Sequence, residues 1–157
     1  MGENKCIFCK IANGEVPSST VYEDDVFKVI LDINPASAGH VLIISKQHYK
    51  NLLELPSDLA AKSIVLAKKL MIGITDILKC DGVNLVQNNE EAAGQTVFHF
   101  HVHIIPRYQD DNLRLNWTPG LLEEEIKVKM LTDIRNYMWV LKKNRREVTT
   151  KYAELKW

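Results

Sequence analysis

The residues of this chain best suited to chemistry are gathered in one stretch. Five histidines occur in 157 residues, and three of them, His99, His101 and His103, fall within Val97-Phe98-His99-Phe100-His101-Val102-His103-Ile104-Ile105. Polar and apolar residues alternate there at the period of a β-strand. The spacing therefore predicts a strand over 96–106 with all three imidazoles on one face. Phe98, Phe100, Val102 and Ile104 take the other face, in a core. An imidazole can ligate a metal, move a proton or attack an electrophile. Residues two apart on a strand are separated by roughly 6.6 Å, and residues four apart by roughly 13 Å. Neighbouring histidines could share a metal at Zn–N bonds of about 2.0–2.1 Å, but His99 and His103 could not reach one ion unless the strand bent. At least one ring is left for chemistry.

The loop before this strand, Asn88-Asn89-Glu90-Glu91-Ala92-Ala93-Gly94-Gln95-Thr96, has what a phosphate site needs. Gly94 lets backbone approach a ligand closely, Thr96 offers a hydroxyl and Asn88 an amide donor. No Gly-x-x-x-x-Gly-Lys loop is present, which excludes a P-loop kinase or ATPase.

Other elements must hold these residues in place. The sequence predicts a short helix over 6–12 closed by Asn13-Gly14, strands over 20–23 and 26–32 around Asp24-Asp25, and a turn at Asn34-Pro35. A strand follows over 40–45. Pro56-Ser57-Asp58 starts a long helix carrying Leu59, Ala60, Ile64, Ala67, Leu70, Met71, Ile74, Ile77 and Leu78 at helical spacing. Gly73 weakens that pattern slightly, and Asp81-Gly82 ends it. A strand over 83–87 precedes the polar loop. The expected fold is α+β, a five-stranded, mostly antiparallel sheet with one long helix and a short N-terminal helix.

Past Arg107 the pattern changes. Two polar breaks precede an amphipathic helix marked by Leu122, Ile126, Met130, Ile134, Tyr137, Met138 and Leu141. It runs into Lys142-Lys143-Asn144-Arg145-Arg146, which is either a site for an anionic partner or a solvated helix end, where positive charge suits the dipole. Residues 1–110 are expected to form the functional domain. Residues 111–157 are expected to form a C-terminal helical extension packed on that domain or on a dimer.

Composition narrows the class. Lys plus Arg and Asp plus Glu each number 20, so the formal charge is zero and broad neutralisation of a nucleic-acid backbone is not expected. No apolar run approaches the roughly 20 residues that span a bilayer. The first five residues lead into no signal-peptide core, and Cys6 stands where myristoylation needs Ser or Thr. Three cysteines are too few for a secreted disulfide scaffold. The expectation is a cytoplasmic protein with no nucleic-acid or membrane partner.

The stretch Gly94-Gln95-Thr96-Val97-x-His99-x-His101-x-His103-Ile104-Ile105 resembles the signature of the histidine triad (HIT) superfamily of nucleotide hydrolases and transferases. The similarity extends upstream through Cys6-Ile7-Phe8-Cys9-Lys10-Ile11, Gly14-Glu15-Val16-Pro17, Tyr22-Glu23-Asp24, Leu31-Asp32-Ile33-Asn34-Pro35 and Gly39-His40-Val41-Leu42-Ile43-Ile44, covering about residues 6 to 108. The resemblance implies that His101 is the nucleophile, attacking the α-phosphate of a nucleotide to form a nucleotidyl-histidine. Its other ring nitrogen is then held by a backbone carbonyl. Asn88, Thr96 and His103 become phosphate contacts, with the backbone of Gly94 and Gln95 beside them, and His40 and His99 complete the catalytic set.

Asp32 matches a ribose-binding carboxylate, the rival reading being an Asx turn ahead of Asn34-Pro35. Leu31 and Ile11 match walls of the base pocket, or serve as core. Cys6 and Cys9 form a Cys-x-x-Cys, half a zinc site; a redox pair is the rival, but no β-α-β pattern surrounds it. Resemblance to bacterial members implies a zinc ion held by Cys6, Cys9, His48 and His99. Cys80 is read as inert.

Within the superfamily, Asp32 and the Cys-x-x-Cys resemble the Hint branch, which cleaves nucleoside phosphoramidates and related mixed anhydrides. Residues 91–97 and Pro106-Arg107 also resemble the Fhit branch, which hydrolyses dinucleoside polyphosphates. The implied partners are a purine nucleotide carrying AMP or GMP and a second copy of the chain. Trp117-Thr118-Pro119-Gly120 is similar to the Trp-Pro-Pro-Gly end of Hint proteins but lies further from the triad. A reading of another class is a non-catalytic zinc- or nucleotide-binding module.

Overall fold

The structure, a computed structural model, describes residues 6–115 and 119–143. The chain divides into two units between Leu113 and Arg114.

The first unit is built on a five-stranded antiparallel sheet. Its strands are β1 (Thr20–Glu23), β2 (Phe27–Leu31), β3 (Val41–Ser45), β4 (Gly82–Val86) and β5 (His101–Arg107), in the order β1-β2-β3-β5-β4. Helices α1 (Ile7–Ala12) and α2 (Ser57–Leu78) complete it. Alternation along the strands gives the sheet two apolar faces. Phe27, Val29, Val41, Ile43, Val102 and Ile104 form one core together with Phe100, and α2 packs on it through Ala67, Leu66, Leu70 and Ile74. Ile30, Leu42 and Ile44 meet Phe8, Ile11 and Ala12 of α1 on the other side. Register pairs Ile44 with His101 and Leu42 with His103. Directly paired residues share a face, so both histidines lie on the α1 side.

Local chemistry explains the joints. At the end of α1, Gly14 has φ +78°, its N–H donates to Ile11 O, and the Glu15 N–H donates to Lys10 O. This paired closure is the glycine stop expected at Asn13-Gly14. Asp24 Oδ1 accepts the N–H groups of Val26 and Phe27 at 2.8 and 2.7 Å, which turns β1 into β2.

Two elements of this unit differ from expectation. The predicted strand over 96–106 begins only at His101, because residues 97–99 bend. Gln95 Nε2 donates to Lys50 O and Val97 O, and the His99 N–H donates back to Val97 O at 2.8 Å. A chain so tied cannot stay extended. His99 therefore lies before β5, not on a common ladder with His101 and His103. The second difference is the end of α2. Lys79, with φ +50°, takes the left-handed position, while Gly82 opens β4 instead of stopping the helix. Gly39 meets this helix end: its φ is +86°, and a Cβ there would collide with Leu78 Cδ1.

In the second unit, α3 (Glu124–Lys143) starts two residues after the expected Leu122. Ile126, Met130, Ile134 and Tyr137 recur along one stripe, with Lys129–Asp133 and Lys127–Glu124 pairs at 2.6 and 3.0 Å supporting the exposed surface. Trp117-Thr118 and the end of the basic run at 144–146 lie outside the described residues. Among the described residues no helix is long and apolar enough to cross a membrane.

Candidate functional site

The five histidines divide into two groups, and the bend at 97–99 separates them. His101, only 4% exposed, sits on β5 with its ring edge against Phe8 of α1, 5.1 Å between centroids. Its Nδ1–H donates to the backbone carbonyl of His99 at 2.6 Å. That bond fixes the neutral tautomer and leaves a lone pair on Nε2. Burial pushes the His101 pKa below the ordinary imidazole value, against opposing pulls from the His99 carbonyl and the Asp32 charge. The ring is neutral at pH 7.

A second set of bonds orders His40 and His103. The Ala36 N–H donates to His40 Nδ1 at 3.1 Å, so the His40 proton must sit on Nε2. His40 Nε2 lies 3.0 Å from His103 Nδ1 and donates to it. His103 consequently carries its own proton on Nε2, as a donor. Burial, reinforced by its neighbours His101 and His40, holds the His103 pKa down at about 4. Burial lowers His40 as well, with Asp32 opposing. The His101 and His103 rings lie 4.9 Å apart, one edge against the other's face. The arrangement offers a lone pair beside an N–H donor.

The turn from Asp32 to His40 supplies the third edge. Asp32 Oδ1 accepts the Asn34 N–H at 2.9 Å, an Asx turn, while Oδ2 stands 3.5 Å from His40 Nδ1. With His40 neutral and its Nδ1 already accepting, that approach is not an ion pair. The Asx-turn reading of Asp32 is thus met by Oδ1. The Ser37 hydroxyl donates to Pro106 O at 2.6 Å and pins the turn to β5.

In the loop before the bend, Gly94 has φ +85° and Asn88 Nδ2 reaches Gly94 O at 3.4 Å. Thr96 is exposed. Gln95, expected beside the phosphate, is 2% exposed and committed elsewhere. Its amide holds Lys50 O, Val97 O and the Glu90 N–H, and its backbone N–H donates to Glu90 O. Gln95 shapes the loop, and its three N–H donors are all engaged within the fold. Leu31 also departs from its expected place. It pairs with Val41, on the α2 face, whereas Ile30 packs with Ile11 on the histidine face. Parity could have shown this, because Ile30 is two residues from Asp32 and shares its side. Phe8 and Ser45 were also missed, Phe8 because nothing in a six-residue helix marks one apolar residue as a ring contact.

The other histidine group is a candidate ligand set. Cys6, Cys9, His48 and His99 place one donor atom each within 4.8 Å of all the others. His99 Nδ1 lies 3.4 Å from each sulfur and 3.2 Å from His48 Nδ1, and Cys9 Sγ lies 3.2 Å from His48 Nδ1. A tetrahedral zinc with its usual bond lengths separates such donors by about 3.3–3.8 Å. The His99 Nε2–H donates to Ser45 O at 2.7 Å, with Ser45 Oγ at 3.1 Å, which aims the Nδ1 lone pair at the cluster. Burial, with added pressure from His48 and His101, holds the His99 pKa at about 4 despite that carbonyl. The donors fit zinc. Asp32, His40 and His103 also cluster, but both His40 nitrogens and His103 Nδ1 are engaged in the relay described above.

Residues 13–110 match the HIT domain. A HIT family protein of Bacillus anthracis superposes with a TM-score of 0.79 at 36% identity, covering 85% of this chain and 97% of that one. The adenylylsulfatase HINT3 of Arabidopsis thaliana is 46% identical over 111 residues, 71% of this chain and 56% of its own length. A zinc-bound histidine triad protein of Mycobacterium smegmatis superposes with a TM-score of 0.68 at 37% identity, over 76% of this chain and 86% of that one. The extent of the domain match and the shared fold together establish that this chain belongs to the HIT family.

Proposed function

We propose that the protein is a nucleotide hydrolase or nucleotidyl transferase of the Hint type. It acts on purine nucleoside phosphoramidates or related mixed anhydrides, with His101 as nucleophile. The observation that carries this reading is the 2.6 Å bond from His101 Nδ1–H to His99 O, which presents Nε2 as a lone pair. Nε2 attacks the α-phosphorus; the N–P bond forms as the bond to the leaving group breaks. The leaving group departs with a proton taken from solvent, and water then cleaves the N–P bond to release the nucleoside monophosphate. Over both steps one water is consumed: its oxygen ends on phosphorus, one of its protons makes good the proton that left, and the other stays on the released phosphate or passes to solvent.

His103 Nε2–H donates to a phosphoryl oxygen, oriented by His40 and, behind it, by the Ala36 N–H. Asn88, Gly94 and Thr96 grip the remaining oxygens, Asp32 Oδ2 accepts from the ribose hydroxyls, and Ile11 with Ile30 walls the base. Cys6, Cys9, His48 and His99 hold a zinc whose contribution is to cross-link α1, the β3–α2 connection and the bend. The Arabidopsis relative, an adenylylsulfatase by name, supports hydrolysis at a nucleotide phosphorus, and the Mycobacterium relative supports the metal. The homodimer rests on family resemblance.

His101→Ala is expected to abolish release of AMP from adenosine 5′-phosphoramidate while fold and zinc content stay unchanged. Full activity in that variant contradicts the assignment. A wild-type protein that binds AMP and zinc but turns over neither phosphoramidate nor dinucleoside polyphosphate supports the binding module instead.

A further inference from the structure

Glu90 adopts φ +71° and ψ +165°. Backbone there is essentially restricted to glycine, and a side-chain-bearing residue stays only when its surroundings hold it. The surroundings of Glu90 do so at its N–H, its carbonyl and one carboxylate oxygen. Its carboxylate Oε1 accepts from Lys50 Nζ at 2.6 Å and from Asn51 Nδ2 at 2.8 Å, and Asn51 is 2% exposed. Its N–H donates to Gln95 Oε1 at 2.9 Å, and its carbonyl accepts from Ala93 and Gln95.

The partners of Glu90 lie on the segment that follows His48. The Leu52 N–H donates to Asn89 Oδ1 at 3.0 Å, Tyr49 O accepts the Phe100 N–H at 2.6 Å, and Lys50 Nζ lies 5.5 Å from the centre of the Phe98 ring. Glu90 is thus the ionic link between that segment and the loop that carries Asn88, Gly94 and Thr96.

We infer that Glu90 is a positioning residue: by clamping Lys50 and Asn51 its carboxylate holds the 88–96 loop in the conformation that receives a phosphate, against a backbone geometry only glycine adopts freely. The inference rests on the nucleotide reading above. It places Glu90 outside contact with the ligand and assigns its effect to binding, since the tautomer of His101 is set separately by His99 O.

A merely structural ion pair and a clamp on a glycine-like backbone differ in one respect. Alanine removes the clamp and keeps the unfavourable backbone, whereas glycine removes both. The test compares wild type, Glu90→Ala, Glu90→Gly and Lys50→Met in the full-length, zinc-loaded chain. AMP affinity is measured by calorimetry, and hydrogen exchange is followed in the 88–96 peptide. Glu90→Ala is expected to weaken AMP about tenfold or more and to speed loop exchange, with Glu90→Gly within about threefold of wild type on both. Lys50→Met, which leaves Glu90 in place, is expected to weaken AMP by about threefold. Equal losses in the alanine and glycine variants, or AMP affinity unchanged in both Glu90→Ala and Lys50→Met, overturn the clamp. If wild type binds no AMP the nucleotide reading fails by itself. The exchange rates then decide the clamp: faster exchange in alanine than in glycine sustains it, and equal exchange refutes it.

Discussion

His99 holds two tasks at once, and the account of the site turns on this. Its side chain faces the sulfurs of Cys6 and Cys9 while its backbone carbonyl holds the Nδ1–H of His101. The resemblance implies His99 both in the catalytic set and on the metal; its ring lies with Cys6, Cys9 and His48, away from the cluster of His40 and His103, and His101 lies against His103. What alternation along a strand could not reveal was the bend that makes the division possible, because it comes from the side chain of Gln95, 45 residues from its partner Lys50.

Two predictions belong at this scale. Removing the nucleophile in His101→Ala should cost at least about a thousandfold in turnover. Protonation gives the second. His103 has a pKa of about 4 in the fold against an ordinary value of 6.5, so between those values the unfolded chain binds a proton that the folded chain refuses. Stability then rises with pH through that window and lies level above it. Thermal melts of wild type should show a midpoint that falls from pH 6.5 toward 4. His103→Asn should flatten part of that slope; an unchanged slope would remove His103 as its source.

At the scale of elements, most of the scaffold was legible and its joints only in part. Strands β1 to β4 lie where their apolar runs predict, and α1 ends on its glycine as Asn13-Gly14 suggests. The end of α2 was misplaced because the usual cue, a glycine, sits at residue 82, while Lys79 takes the left-handed turn. The glycine that matters to this helix end lies across the unit, at Gly39, a contact no local pattern discloses. Gly39→Ala combines a disfavoured φ with a collision at Leu78. It should destabilise the first unit by about 1–3 kcal/mol, read as a lower urea midpoint at unchanged slope. A midpoint equal to wild type would mean that the turn and helix end relax freely. Because this turn also carries Asp32 and His40, AMP affinity should fall with it.

For the whole molecule, the candidate ligand set Cys6, Cys9, His48 and His99 draws on three places distant in sequence: α1, the connection after β3 and the bend before β5. Metal held by such a set stabilises the folded state by its binding free energy. Cys6→Ser is therefore expected to lower zinc content and the melting temperature more than it lowers turnover of the protein that remains folded. Loss of turnover with stability and zinc unchanged would reverse the roles of the two histidine groups. The second unit contributes a separate lesson. Its amphipathic helix was plain in the sequence, since the 3.6-residue period of Ile126, Met130, Ile134 and Tyr137 is a local signal.

The central claim is that an unprotonated imidazole at residue 101 takes the nucleotide onto itself. Quenching the wild-type protein in acid-free denaturant during turnover of adenosine 5′-phosphoramidate, followed by peptide mass spectrometry, tests this directly. The account predicts an adenylyl mass on the peptide containing residues 99–103, localised by fragmentation to His101 and absent from His101→Ala. Turnover with the adduct on His99 or His103, or with no adduct under conditions that trap a phosphoramidate-linked standard, would contradict it.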